Sequence, residues 1–165
     1  MKTVFIALGG NLGEVREHFI AARSDIDRLQ NTSVSASSLL YRTPPVGPAG
    51  QPDYLNAVIR IQTDLDPLAL LDALQQIENR YGRERLEHWG ARTLDLDIIA
   101  IASDIITSER LVIPHPHMFD RQFVLQPLCD LAPQWQHPQL GESATHRLKQ
   151  IIETGEAPLP EGEAW

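Results

Sequence analysis

Two carboxylates, Asp95 and Asp97, stand at i, i+2 in the segment Trp89-Gly-Ala-Arg-Thr-Leu-Asp-Leu-Asp-Ile-Ile-Ala-Ile101. The end of that segment is an apolar, β-branched run of strand length. On a strand this spacing puts both acids on one face, roughly 6.5–7 Å apart along the backbone, with Leu94, Leu96 and Ile98 on the other. A core strand that opens with two anions is a local inconsistency of the kind that marks functional sites. Oxygen ligands suit Mg2+, which takes one or two carboxylates and fills its shell with phosphate and water. A pair on one rigid face can hold two Mg2+ about 3.5–4 Å apart, the arrangement that clamps a transferring phosphorus centre. Arg92 adds a planar fork for a phosphate oxygen. Taken alone, Asp-x-Asp reads better as an edge strand whose acids discourage pairing; its surroundings decide otherwise.

Those surroundings are basic. The formal net charge is −8 and lysine occurs only at Lys2 and Lys149, yet Arg80, Arg83, Arg85 and Arg92 gather just ahead of the carboxylates. A helix C-terminus accounts for Arg80 and Arg83 through its dipole, but not for a basic run that continues past Gly82. An acidic chain with arginines beside two aspartates suits one polyanion held with metal, and excludes general nucleic-acid or anionic-membrane binding. A second cluster lies in 114–123, where His115, His117 and Arg121 stand together. No cysteine or third histidine accompanies His-x-His at zinc-site spacing, so hydrogen bonding to phosphate is the better reading. A third is Tyr54 with Asn56, on one strand face directly after a loop, 43–52, that holds four prolines and two glycines. A ring and an amide there can recognise a flat heterocycle; ordinary cross-strand packing is an equally good account. Loops of that length inside a domain are often lids. The glycine turn Gly9-Gly10-Asn11-Leu12-Gly13 matches neither a phosphate loop nor a dinucleotide fingerprint and reads as a tight strand-to-helix turn.

The elements that must position these residues follow from periodicity. Strands are expected over 3–8, 34–42, 54–63 and the Asp95–Asp97 run, with short ones at 105–106 and 111–113. Helices are expected over 14–29, from the Asp66-Pro67 start to Gly82, from about Pro127 within 124–131, and over 143–154. The order β-α-β-β-α-β gives an α+β, ferredoxin-like core, an antiparallel sheet with helices on one face and the other face left for ligand. The 165 residues fit one domain, 1–154, with 155–165, rich in Pro and Glu, expected to fray. Cys129 is the sole cysteine, which excludes an internal disulfide and argues for a reducing, cytoplasmic setting. No apolar run reaches transmembrane length, and the first one is too short for a signal peptide.

Together these stretches resemble the 6-hydroxymethyl-7,8-dihydropterin pyrophosphokinases of folate biosynthesis. The resemblance rests on Ala7-Leu-Gly-Gly-Asn-Leu-Gly13, Tyr41-Arg-Thr-Pro-Pro45, Gln51-Pro-Asp-Tyr-Leu-Asn-Ala57, Gly82-Arg83, Trp89 to Ile98, and Ile113-Pro-His-Pro116 with Arg121 and Phe123. Arg-Thr-Leu-Asp-Leu-Asp after a tryptophan is highly specific. The resemblance implies transfer of pyrophosphate from MgATP to the pterin alcohol, with AMP released. It implies that Asp95 and Asp97 hold two Mg2+, and that Arg83, Arg85, Arg92, Arg110, His115 and Arg121 contact phosphates or nucleotide, with Arg83 and Arg92 in the catalytic set. The pterin is placed near Thr43, Pro44, Val46, Tyr54 and Asn56, stacked between Trp89 and Phe123. Gln75 and Glu78 join these surroundings, and three mobile loops correspond to 9–14, 43–53 and 83–92. His88, Ala91 and Pro116 depart from the family pattern. A monomer acting on two small molecules is expected, with no nucleic-acid or membrane partner. The rival readings are a silent nucleotide- or pterin-binding module on the same fold and a metal-dependent phosphohydrolase.

Overall fold

The computed structural model describes residues 1–45, 49–82 and 93–165. In chain order it runs β1 (Lys2–Gly10), α1 (Val15–Asp27), β2 (Thr32–Ser37), β3 (Tyr41–Thr43), β4 (Tyr54–Thr63), α2 (Pro67–Arg80) and β5 (Asp95–Ile101). A hairpin of β6 (Ile106–Thr107) and β7 (Val112–Ile113) follows, then a 3-10 turn (Met118–Asp120), α3 (Gln122–Leu131) and α4 (Ala144–Glu153). The main sheet has the order β2-β4-β1-β5, with β3 also paired to β4 and every pairing antiparallel. Two crossovers carrying α1 and α2 join these strands, so the ferredoxin-like arrangement expected from the element order is present.

Alternation along the strands splits the core in two. Leu55, Ala57, Ile59 and Ile61 of β4 join Val4, Ile6 and Leu8 of β1 and Leu96 and Ile98 of β5. Phe19, Ala22 and Ile26 of α1 and Leu70, Leu74 and Ile77 of α2, recurring every three to four positions, close that face. The opposite face is not left open along its whole length, which corrects the expectation of helices on one face only. Phe5, Val58, Ile99 and Ala100 point there and are themselves apolar, and Met118, Phe119, Val124, Leu125, Leu128, Ala144 and Ile151 bury them. An apolar sheet face must be covered, and α3 and α4 do so at one end. α3 starts at Gln122, well ahead of Pro127, which lies inside it. Proline there loses one backbone bond, and the burial of Val124, Leu125 and Leu128 outweighs it.

The run read as one strand over 34–42 is two, because Ser38 interrupts the ladder. Its N–H donates to the Val58 carbonyl at 2.8 Å while its hydroxyl accepts from the Val58 N–H, also at 2.8 Å. Residues 155–165, expected to fray, instead pack back on the sheet. Leu40 and Glu163 exchange backbone hydrogen bonds of 2.8 Å, and the Trp165 indole donates to the Ser38 carbonyl at 2.7 Å. Trp165 also meets Phe19 edge-on at 5.8 Å and lies under the Arg23 guanidinium at 4.0 Å. The aromatic surface that Trp165 covers is what composition could not announce.

His137 shapes the turn ahead of α4. Its Nδ1 accepts from the N–H groups of Gln139 and Leu140, each at 3.2 Å, and its ring lies 5.1 Å from Phe119 and 5.9 Å from Trp135. Burial pulls its pKa below the ordinary value of 6.5, against a weaker upward pull from Glu142. The unfolded chain therefore takes the proton first as pH falls, and the stability His137 contributes, full above pH 6.5, is lost on acidification toward its folded pKa. The urea midpoint should drop between pH 7.5 and 5.5, and the drop should shrink in His137→Asn. Equal drops in both proteins would contradict the assignment.

Candidate active site

The register of β1 with its two neighbours lays the site out as a row. Asp95 of β5 faces Gly9 of β1, Gly9 faces Asn56 of β4, and Asn56 faces Tyr41 of β3. One step on, Asp97 faces Ala7 and Ala7 faces Val58. Directly paired residues share a sheet face, so the carboxylates lie at one end of this face and the Asn56 amide at the other. Between them stands Gly9, where a Cβ would meet the Asn56 Oδ1 at 3.4 Å. Asp97 is exposed and Asp95 half-buried, whereas Leu94, Leu96 and Ile98 are buried on the far side. Asn56 is itself buried, and its Nδ2 donates to the Thr43 hydroxyl at 3.1 Å. Tyr54 pairs with Thr43 in the same register.

The floor so made belongs to a cleft of about 750 Å³. Asp95, Asp97, His115 and Arg121 line it together with Thr43, Pro44, Tyr54, Asn56 and Phe123. His115 arrives beside the carboxylate strand because its backbone N–H donates to the Ile99 carbonyl at 3.0 Å. Its Nδ1 accepts from the His117 N–H at 3.1 Å, which leaves Nε2 as the protonated nitrogen of the neutral ring. Burial lowers the His115 pKa more than the Asp97 charge raises it, with Arg121 and His117 adding to the lowering, so the ring is a neutral donor near pH 7. Arg121 and Phe123 flank Gln122 at the start of α3, with the guanidinium 5.7 Å from the Phe123 ring. Asp95, Asp97, His115 and Arg121 thus share one cleft with the Asn56 amide, the Tyr54 and Phe123 rings and Pro44. Among the described residues no three His, Cys, Asp or Glu side chains cluster as a metal cage. Two carboxylates on an open face fit Mg2+ that takes its remaining ligands from phosphate and water.

The model of the 7,8-dihydro-6-hydroxymethylpterin-pyrophosphokinase (HPPK) family matches residues 5–133. This chain belongs to that family. It is 52% identical over 132 residues to the 2-amino-4-hydroxy-6-hydroxymethyldihydropteridine pyrophosphokinase of Haemophilus influenzae, across 80% of this chain and 82% of that one. The Pseudomonas aeruginosa protein of the same name is 49% identical over 138 residues, 84% and 85% of the two chains. Among solved structures, a crystal structure of HPPK-DHPS in complex with substrates superposes with a TM-score of 0.73 at 13% identity, over 93% of this chain and 46% of that one. The Plasmodium falciparum HPPK-DHPS with pteroate gives 0.74 at 13% identity, over 92% and 42%. This chain spans less than half the length of those larger proteins, and at that identity the likeness speaks for the fold.

Not every residue expected from the HPPK resemblance reaches the cleft. Arg110 stands on the β6–β7 hairpin and pairs with Asp72 of α2 at 2.5 Å, outside the described lining. Gln75 is exposed on α2, outside the described lining. Glu78 is buried on the helix-covered side, where its Oε2 accepts from the Leu96 N–H at 2.7 Å. It grips the carboxylate strand from behind. Val46, Arg83, Arg85, Trp89 and Arg92, and the departures His88 and Ala91, lie outside the described residues. Other groups went unread in the sequence. Asn11, only 2% exposed, donates through Nδ2 to the Gln51 side chain at 3.2 Å and the Pro52 carbonyl at 3.1 Å, tying the glycine turn to the proline loop. Arg42, Gln122 and residues 156–160 also line the cleft. For Arg42 the signal was its place inside the Tyr41–Pro45 motif; for Gln122 and the C-terminal residues no local pattern gave one.

Proposed function

We propose that this chain moves the pyrophosphoryl group of MgATP onto the hydroxymethyl oxygen of 6-hydroxymethyl-7,8-dihydropterin, giving the pterin diphosphate and AMP in folate biosynthesis. The observation that carries this reading is the Asp95–Gly9–Asn56 row. It puts the Asp95 carboxylate and the Asn56 amide on one floor of the cleft, with a residue that has no side chain between them. Membership of the HPPK family supplies the reaction, and the names of the relatives agree with it.

In this reading Asp95 and Asp97 hold two Mg2+, which when bound neutralise phosphate charge and polarise the phosphorus under attack. His115, through Nε2–H, and Arg121 hold the phosphate oxygens, with Arg83, Arg85 and Arg92 assigned the same work from the sequence alone. Asn56 and Thr43 recognise the pterin edge, while Tyr54, Pro44 and Phe123 enclose its ring, work that the family resemblance in the sequence alone also assigns to Val46 and Trp89. The pterin oxygen attacks the β-phosphorus in line; the new O–P bond forms as the bond to the α-phosphate oxygen breaks, AMP leaves, and the hydroxyl proton passes to solvent. Positioning and charge compensation supply most of the rate, as in other phosphoryl transfers.

The test follows nucleotide products from purified protein, MgATP and the pterin. AMP should appear one-for-one with pterin diphosphate, and only with both pterin and Mg2+ present. ADP would mean single phosphoryl transfer or hydrolysis and would refute the β-phosphorus assignment. Tight binding without turnover would leave only a silent binding module.

A further inference from the structure

The C-terminal segment stands outside the residues that match the family model, which end at 133, and nothing in the proposed reaction uses it. It nevertheless lines the cleft with Glu156, Ala157, Pro158, Leu159 and Pro160. One buried side chain holds it there. Gln122, 3% exposed, donates from Nε2 to the Glu156 carboxylate at 3.1 Å and the Ala157 carbonyl at 2.8 Å, and its Oε1 accepts from the Leu159 N–H at 3.0 Å. The flipped amide would set Nε2 against the Leu159 donor, so the network fixes the orientation. Both ends of the Gln122 amide are thus bonded to this segment. Its sequence neighbours, Arg121 and Phe123, are both cleft residues.

A second anchor sits farther along. Glu163 exchanges backbone bonds with Leu40 and its carboxylate meets the Arg42 guanidinium at 2.8 Å. Gly162 passes so close beneath β3 that a Cβ there would lie 2.7 Å from the Leu39 Cβ and 3.0 Å from the Tyr41 ring. The sheet order says which end of the cleft this serves. β5, with the two aspartates, forms one edge; β1, β4 and β3 follow, and Glu163 bridges to Leu40 just before β3. Glu163 therefore docks beside the strand that carries Thr43, which pairs with Asn56's strand and lies across the sheet from the carboxylates. Two prolines flanking the half-buried Leu159 restrict its backbone, so it presents a pre-set apolar surface rather than a chain that must order on binding.

We propose that residues 156–160 form a fixed C-terminal wall of the pterin end of the cleft, with Leu159 as its contact surface and Gln122 and Gly162 as the positioning residues that hold it. This rests on the pterin-binding reading above. The wall adds apolar contact to the bound heterocycle and limits the bulk admitted at that end, while leaving the phosphate end untouched.

The test measures pterin affinity by equilibrium binding, with a nonhydrolysable ATP analogue and Mg2+ present, alongside KM for each substrate and kcat. Leu159→Ala should weaken pterin binding about three- to tenfold, with the KM for ATP and kcat near wild type. Gly162→Val, which alters no cleft residue, should raise the pterin Kd comparably by unseating the segment. In Gln122→Glu, which loses both donations and sets two carboxylates together, the further effect of Leu159→Ala should be smaller than in the wild type. Melting temperatures identify any variant that fails to fold, and the three variants perturb the wall independently. An unchanged pterin Kd in folded Leu159→Ala and Gly162→Val overturns the proposal, as does an equal loss of ATP and pterin affinity. Wild-type protein that binds pterin but forms no AMP refutes the pyrophosphokinase reading while the Kd values still judge the wall. Wild-type protein that binds no pterin refutes both.

Discussion

Asp97→Ala should lower AMP formation by about three orders of magnitude at saturating substrates, since under the proposed two-metal arrangement it removes a metal ligand rather than a binding contact. Asp97 is the exposed member of the pair, and the row that carries it ends on Val58 rather than on a polar partner. Little in the fold depends on its carboxylate, so the variant should melt near the wild-type temperature. Tyr54→Ala gives the contrast. Tyr54 lines the opposite end of the cleft, and its loss should raise the KM for pterin about tenfold with kcat little changed. Single-turnover quench measurements separate the two, because product release then drops out. Binding of Mn2+ in the presence of a nonhydrolysable ATP analogue, followed by its paramagnetic resonance, should weaken in Asp97→Ala and not in Tyr54→Ala. Comparable small losses from both substitutions would sink the two-metal assignment.

The carboxylate pair was legible in the sequence because it broke a pattern. Asp95 and Asp97 interrupt an apolar run, and period-two alternation fixes which side they share before any neighbour is known. The same argument gave Tyr54 and Asn56 a common face, and the whole of β4 from Tyr54 to Thr63. What alternation cannot supply is the identity of the strand alongside. That Gly9 lies between Asp95 and Asn56 is a fact of register between strands far apart in the chain, and only the folded sheet states it. The second layer was missed for a related reason. Phe5, Val58 and Ala100 are scattered through strands already credited with one apolar face, and their joint patch appears only once the strands are aligned. The tail was misread because Pro and Glu describe a chain that need not fold, while its anchors are single residues, Gly162 and Trp165, whose partners lie at Leu39, Ser38 and Phe19. Arg110 entered through the family resemblance, and its pairing with Asp72, both side chains exposed, is one that sequence spacing alone could not reveal.

The second large effect concerns how the carboxylates are held rather than what they do. β5 is the edge of the sheet among the described strands, so half of its backbone N–H groups point away from β1, where no described strand receives them. The Leu96 N–H, between the two aspartates, is met by the Glu78 carboxylate at 2.7 Å, with Glu78 4% exposed and Leu96 3% exposed. Removing its acceptor in a buried setting costs about 1–3 kcal/mol, because the donor is left without water. Glu78→Ala should therefore lower the stability measured in urea by about that amount, and kcat should fall about tenfold or more as the strand shifts the geometry at Asp95 and Asp97. Glu78→Gln keeps an acceptor oxygen at nearly the same place and should recover most of both losses, which a general packing defect would not predict. The informative comparison is kcat at a temperature where each variant is fully folded. If Glu78→Ala is less stable there yet turns over at the wild-type rate, the strand holds its position without this bond, and Glu78 serves the fold but not the alignment of Asp95 and Asp97.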